Sequence, residues 1–88
     1  MELVREIRGG EPYEYYPLGE YVVMAPGVCG GRPTFKGTRI EVGPVLEMLA
    51  TESVEEVVRG YRGRITQEAI AEALHLASQA IAEWRPAA

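Results

Sequence analysis

The chain of 88 residues is long enough for one domain with a modest core. It is 47% hydrophobic and 25% charged, a composition typical of a globular protein and not of a disordered one. The formal net charge of −4 argues against a protein that coats nucleic acid by charge alone.

The N-terminal part of the chain predicts short strands. Residues 1–10 form a candidate strand that ends at a glycine pair, and residues 11–20, interrupted by prolines, indicate an extended arm or a hairpin. Residues 21–24 are the best strand candidate because they are β-branched and aromatic. Two further short strands are candidates at 34–35 and 38–40.

From Val42 onward, apolar residues recur with the spacing of a helix. The first helix begins there. Ser53 and Glu56 fit a capping box, which predicts the start of a second helix. Thr66 is the predicted N-cap of a third and longest helix, which Pro86 ends.

The third helix carries two neighbouring apolar stripes. The first stripe consists of Ile70, Leu74, Ala77, Ile81 and Trp84, and the second consists of Ala69, Ala73, Leu76 and Ala80. We expect the first stripe to meet the domain's own core. The dimer-interface candidates in the second stripe are Ala73, Leu76 and Ala80, and the alternative that both stripes belong to the core stays open.

These elements predict a single α+β domain, mainly α, over residues 1–88. A short β arm or hairpin with a glycine-rich loop occupies residues 1–41, and a three-helix bundle occupies residues 42–85. The second and third helices have the layout of a helix-turn-helix. However, the exposed side of the third helix has no basic residue before Arg85 and carries glutamates, which phosphates would repel.

No catalytic residue, metal site or cofactor is predicted. His75 and Cys29 are the only histidine and cysteine, whereas a zinc site needs about four ligands and a nucleophilic cysteine needs a base. Lys36 comes before Gly37, one place too early for a nucleotide-binding P-loop. We therefore expect a protein that is not an enzyme.

The composition also predicts a location. No stretch approaches the roughly 18 apolar residues of a membrane span, and the charged N-terminus lacks the apolar middle of a signal peptide. The single cysteine cannot form an internal disulfide. We expect a cytoplasmic protein with no membrane contact. The absence of Asn indicates a thermophilic source.

Two local basic patches, at residues 29–40 and 59–64, contain no acid. Their side chains suit phosphates or a partner's carboxylates, and they equally suit the chain's own glutamates. The predicted DNA- or partner-binding residues are Arg32, Lys36, Arg39, Arg62 and Arg64. Within the loop, we expect Arg39 to pair internally and leave Arg32 and Lys36 to face a partner.

The segment CGGRPTFKGTRI, followed by three helices, resembles the DUF433 family of domains of unknown function. The hallmark of that family is a G-[GK]-x-P-x-x-x-G-T-R-I/L run, and the resemblance extends over about residues 21–84. The predicted structural loop residues are Gly30, Gly31, Pro33, Gly37 and Thr38.

The resemblance implies a homeodomain-like three-helix fold and the antitoxin half of a type II toxin–antitoxin pair, with a PIN-like nuclease as the toxin. We therefore expect an antitoxin-like regulatory module, a homodimer, with the toxin as partner and its own operator DNA as a further candidate. An acidic chain suits a nuclease's cationic channel. The alternatives are a free-standing helix-turn-helix DNA-binding regulator and a dimeric interaction domain with no nucleic-acid function.

Overall fold

A computed structural model describes residues 1–86, which form a four-stranded antiparallel sheet followed by three helices. Strands that follow each other in the chain are neighbours in the sheet, in the order β1-β2-β3-β4. The strands are β1 (Val4–Arg8), β2 (Glu11–Pro17), β3 (Val22–Met24) and β4 (Thr34–Phe35). The helices are α1 (Val42–Met48), α2 (Val54–Gly60) and α3 (Gln67–Ala82).

The first two strands form a hairpin closed by Gly9 and Gly10, whose φ angles are +57° and +80°. A two-residue turn with positive φ at both positions matches the twist of the flanking strands, and glycine adopts it without strain. The proline-containing stretch is therefore a regular strand. The first part of β2, from Glu11 to Tyr15, pairs with β1, and its last two residues, Tyr16 and Pro17, pair with β3.

The predicted fold class is wrong in describing a mainly helical domain with a short β arm and a homeodomain-like bundle, whereas its α+β part agrees with the structure. A four-stranded sheet and three helices make roughly balanced contributions to the domain. The helices do not enclose a core by themselves, because Val22 of β3 and Phe35 of β4 belong to the same buried cluster as the helical residues. The sheet is one of two layers, and the helices form the other.

The alternation of side chains along β3 divides the core. Val22 faces the helices, and Val23 faces the opposite side, where it packs with Tyr15 and Ala25. The main cluster contains Val22, Phe35, Val42, Val45, Val57, Ile65, Ala69, Ile70 and Ala73.

The predicted strand at 34–35 is confirmed, but residues 38–40 do not form one. The chain turns tightly after Phe35, whose N–H donates to Ile40 O at 3.1 Å, and Thr34 makes an isolated bridge to Glu41. The buried Thr34 hydroxyl has no hydrogen-bond partner among the described residues. The glycine-rich segment is thus a loop that leads directly into α1.

The helix starts predicted from capping residues are confirmed. The Ser53 hydroxyl accepts from the Glu56 N–H at 3.1 Å, and a Glu56 carboxylate oxygen accepts from the Ser53 N–H at 2.8 Å. Thr66 Oγ1 accepts from the Ala69 N–H at 3.1 Å. These hydrogen bonds satisfy N–H groups that have no partner inside the helix, which is why such local signals locate a helix start.

The predicted core face of α3 is wrong beyond its first two turns. Leu74, Ile81 and Trp84 of the first stripe are 44%, 67% and 78% exposed. The interface candidate Ala73 is 1% exposed within this chain's own core, and Leu76 packs partly against it. With 16 residues, α3 is about 24 Å long, whereas the seven residues of α1 extend about 10 Å, so the end of α3 passes beyond its cover.

A single carboxylate fixes α3 to the sheet. Glu72 accepts backbone hydrogen bonds from Glu20 at 2.9 Å, Tyr21 at 2.7 Å and Val22 at 3.0 Å. The approach is so close that a Cβ at Gly19 would lie 2.5 Å from Glu72 Oε1. The β2–β3 connection therefore wraps around the carboxylate, and Glu72 is not available as a surface charge.

Candidate anion-binding site

Three arginines from separate segments line one cleft of about 340 Å³. Arg8 ends β1, Arg39 lies in the loop between β4 and α1, and Arg64 lies between α2 and α3. We call this feature the arginine cleft. Its lining residues are Arg8, Glu11, Pro12, Tyr13, Val28, Gly37, Thr38, Arg39 and Arg64.

Arg8 is held by an aromatic ring and a glycine. Its guanidinium carbon lies 5.3 Å from the centre of the Tyr13 ring, a cation–π distance. The Tyr13 hydroxyl accepts from the Gly37 N–H at 2.9 Å, which ties the hairpin to the loop. Gly37 has φ of +77°, and a Cβ there would lie 2.9 Å from Arg8 Nη1. The positive φ therefore favours glycine at this position, and a larger side chain would displace the end of the Arg8 guanidinium.

The backbone of Arg39 is fixed from both sides. Thr38 Oγ1 donates to Phe35 O at 2.7 Å and accepts from the Ile40 N–H at 3.0 Å. Across the loop, the Cys29 thiol donates to Arg39 O at 3.3 Å. The loop thus holds the Arg39 backbone in place while its side chain lies exposed in the cleft.

Arg64 follows a C-terminal cap on α2. The Gly63 N–H donates to Val58 O at 3.1 Å and the Arg62 N–H donates to Arg59 O at 2.9 Å, which is the hydrogen-bond pattern of a Schellman motif. Arg62 occupies the left-handed position, with φ of +56°, where glycine is usual. This turn directs the chain so that Arg64 lines the cleft.

Most other basic residues of the sheet and loop are neutralised by glutamates. Arg32 pairs with Glu41 at 2.6 Å, and this pairing raises the pKa of Arg32 and lowers that of Glu41. Lys36 pairs with Glu6 at 3.2 Å. The pKa of Glu6 is lowered by the hydrogen bond from Tyr15 and then by Lys36, while Tyr15 and then Glu6 raise the pKa of Lys36.

Two of the three cleft arginines differ in this respect. Among residues 1–86, neither Arg39 nor Arg64 has a carboxylate within ion-pair distance, whereas Arg8 pairs with Glu6 at 3.5 Å. Glu11 is the single acid among the lining residues. The cleft is therefore a locally cationic site on a chain with a net charge of −4.

The predicted binding residues thus fall into three groups. Arg39 and Arg64 meet in the arginine cleft, but Arg32 and Lys36 pair internally, so the predicted division of the loop cations is reversed. Arg62 lines a separate notch at the α2–α3 junction. The sequence did not predict Arg8 as a site residue. The hairpin brings Arg8 beside Gly37, which is 29 positions further along the chain, and the glycine pair after Arg8 indicates only a turn and not a binding site.

The predicted structural loop residues set the backbone between β3 and α1. Gly30 and Gly31 have φ of +65° and +80°, and Gly30 lies in a single 3₁₀ turn that spans Cys29–Gly31. Pro33 O accepts from the Val42 N–H at 3.0 Å. Gly37 and Thr38 both line the cleft. These residues shape the site, whereas the arginines supply its charge.

The donor set suits an oxyanion. A guanidinium presents planar paired donors that match the oxygens of a phosphate or carboxylate. In the described part of the chain, no group of three or more His, Cys, Asp or Glu side chains is placed to hold a metal ion. No helix within residues 1–86 is both long and apolar enough to cross a membrane. The arginine cleft is therefore suited to bind a negatively charged group.

A family model described as "Protein of unknown function (DUF433)" matches residues 22–77. This match confirms the family resemblance drawn from the glycine–proline–GTR run. It extends from β3 into α3 and includes Arg39 and Arg64, whereas Arg8 lies before it. No curated protein and no solved structure matches the chain.

Proposed function

This chain belongs to the DUF433 family of proteins of unknown function, and we propose that it is a non-catalytic regulatory module that binds a nucleic-acid backbone through its arginine cleft. The observation that carries this proposal is the convergence of Arg8, Arg39 and Arg64 on one cleft. In an antitoxin-like protein, the corresponding ligand is the operator DNA of its own gene, as the family resemblance implies.

The absence of a carboxylate partner at Arg39 and Arg64 favours a ligand. The chain has 13 acidic residues to nine basic ones, and it uses glutamates to pair Arg5, Arg8, Arg32 and Lys36. Neighbouring arginines without such partners repel each other, and an incoming anion relieves that repulsion. A guanidinium binds phosphate oxygens with paired, charge-assisted hydrogen bonds.

The shape of the cationic surface favours an extended polyanion over a single phosphate. Arg8 and Arg64 also line an adjoining cleft, together with Glu20, Tyr21 and Lys36. The two clefts therefore form one strip across the junction of sheet and helices, in which three arginines and the Glu6-paired Lys36 outnumber the acids Glu11 and Glu20. An extended strip follows successive phosphates of a nucleic-acid strand, and nearby aromatic rings are common in such sites.

The proposed contact does not use α3 as a recognition helix. Glu68 on α3 and the C-cap residue Glu83 are exposed, and Glu72 is fixed to the β2–β3 connection. The contact lies instead on the side formed by the hairpin, the loop after β4 and the α2–α3 link. Contacts to phosphates position a protein on nucleic acid without reading bases, so we assign affinity to this surface and not sequence preference.

A fluorescence anisotropy titration with a labelled duplex from the gene's own promoter region tests the proposal. If about three phosphates are neutralised, the association constant should fall roughly 40-fold between about 50 and 200 mM salt. An unrelated duplex of the same length is the control and should bind with a similar salt dependence. Absence of binding to both duplexes at low salt would contradict the proposal.

A second candidate function, binding of a toxin-like protein, is favoured by an acidic surface. Three glutamates form no ion pair in the described residues, and they lie in α1 (Glu47), between α1 and α2 (Glu52) and in α2 (Glu55). Such a surface complements a nuclease's cationic substrate channel and speeds association with it. Co-expression with the product of the adjacent gene should then give a stable complex in a pull-down, which Glu47→Lys/Glu55→Lys weakens. Recovery of the chain alone would argue against this candidate.

A further inference from the structure

An apolar groove lies between α1 and α3, on a part of the molecule that the arginine cleft does not involve. Val42 and Ala73 form its floor, and Leu46 and Leu76 contribute to its walls. Its volume is about 330 Å³, and none of its lining residues carries a charge. Water in such a groove meets few polar partners, so covering it with an apolar surface is favourable.

The same helix presents an apolar projection. Past the groove, the end of α3 and the residue that follows its cap expose Ile81 and Trp84, with 67% and 78% of their surfaces accessible. Ile81 follows Ala77 at a spacing of four residues within α3, so it continues the face that lines the groove, and Trp84 lies just past the C-cap Glu83. The groove and the projection thus follow one another along α3.

We propose that the groove is filled by a second copy of this chain. In a two-fold arrangement, the end of α3 from each copy inserts Ile81 and Trp84 into the groove of the other. A two-fold contact uses the same patch on both copies. When that patch contains both a groove and a projection that fits it, the two copies form the groove–projection contact twice. This association goes beyond nucleic-acid binding and does not depend on it.

The exposed apolar area contributes part of what a stable dimer needs. A buried aromatic side chain removes about 150–250 Å² from water, so two copies of Trp84, each 78% exposed, supply on the order of 300 Å². That is about a quarter of the ~1,200 Å² at the lower end of stable interfaces, before the Ile81 side chains and the two groove walls are added. Gly43 and Ala80, which also line the groove, let a neighbouring helix approach closely.

Charge also favours a second copy. Because the groove lining is uncharged, the net charge of −4 on each copy is not concentrated at the contact. Glu47 beside Leu46 on α1 and Arg85 beside Trp84 carry opposite charges next to the groove and the projection, and the Arg85 guanidinium also donates to Ala82 O and Trp84 O at 3.0 Å within its own chain.

Sedimentation velocity on the wild-type chain and two glutamate variants tests the proposal. Ile81→Glu should raise the dimer dissociation constant more than about tenfold, because each dimer would bury two unpaired carboxylates. Ile7→Glu is the matched control, since Ile7 on β1 is 69% exposed against 67% for Ile81, and it should leave the dimer intact. Both positions are exposed, so neither variant disturbs the core.

The groove side and the tryptophan give independent readouts. Ala80→Glu, at an exposed position lining the groove, should also produce monomers. Trp84 is the single tryptophan, so its emission should shift to shorter wavelength as wild-type concentration rises and stay unshifted in Ile81→Glu. A wild-type chain that stays monomeric at high micromolar concentration, or equal effects of Ile7→Glu and Ile81→Glu, would overturn the proposal.

Discussion

Replacing Arg39 and Arg64 together with alanine is expected to weaken binding to duplex DNA about 100-fold at low salt. Both side chains line the arginine cleft, and neither has a carboxylate partner in the described part of the chain. A hydrogen bond to a charged group contributes about 1.5 kcal/mol at the lower end of its range, and each 1.4 kcal/mol corresponds to a tenfold change in affinity. Anisotropy titration with the promoter duplex measures the loss.

The control for this double variant removes the same charge elsewhere. Arg59→Ala/Arg85→Ala also takes two arginines from the chain, but neither residue lines the cleft. We expect it to weaken binding less than about threefold, through the change in net charge alone. Equal losses in the two double variants would mean that net charge, and not the cleft, determines binding.

Glu72→Ala is expected to lower the free energy of unfolding by about 2–4 kcal/mol. The substitution removes the acceptor for three backbone N–H groups, including that of the buried Val22. Hydrogen bonds to a charged acceptor contribute more than neutral ones, and donors left without a partner add a desolvation cost. A loss of this size is a large fraction of the stability of a small domain.

Urea denaturation followed by circular dichroism measures this effect. Glu83→Ala is the matched control, because it removes the same charge from the exposed end of α3 and should change stability by less than about 0.5 kcal/mol. Glu72→Gln should fall between the two, since its amide oxygen still accepts while the charge is lost. A Glu72→Ala variant as stable as Glu83→Ala would show that the three hydrogen bonds do not fasten the helix to the sheet.

The helices could be predicted from the sequence because their signals are local. A capping box joins Ser53 to Glu56, three residues apart, and the Thr66 hydroxyl caps the following helix by accepting from the Ala69 N–H. The sheet was underestimated because strand pairing depends on residues far apart in the chain. Tyr15 pairs with Val4 across a hairpin, and the prolines of β2 concealed a regular strand.

The face of α3 illustrates a different limit. The spacing of apolar residues identifies the apolar face of a helix, but it does not show where along the helix other elements stop packing on that face. Ile70 is fully buried, whereas Ile81, on the same predicted stripe, is largely exposed because α1 is too short to reach it. The dimer-interface candidates Leu76 and Ala80 do line an apolar groove, but Ala73 forms its buried floor.

The candidate site could be predicted in part. Arg39 and Arg64 stood out as members of basic patches, but the choice between a ligand and an internal glutamate depends on neighbours that the sequence does not reveal. Arg32 and Lys36 are paired with glutamates 9 and 30 positions away. Arg8 joins the cleft only because the hairpin places it beside Gly37.

The salt dependence of DNA binding by the wild-type chain and by Arg39→Ala/Arg64→Ala tests the role of the arginine cleft most directly. Each phosphate contact contributes about −0.9 to the slope of log K against log salt concentration. For about three contacts, the wild-type slope should be about −3, and the double variant should reduce it to about −1. Parallel lines for the two proteins would contradict the assignment, because the removed arginines would then not contact phosphates.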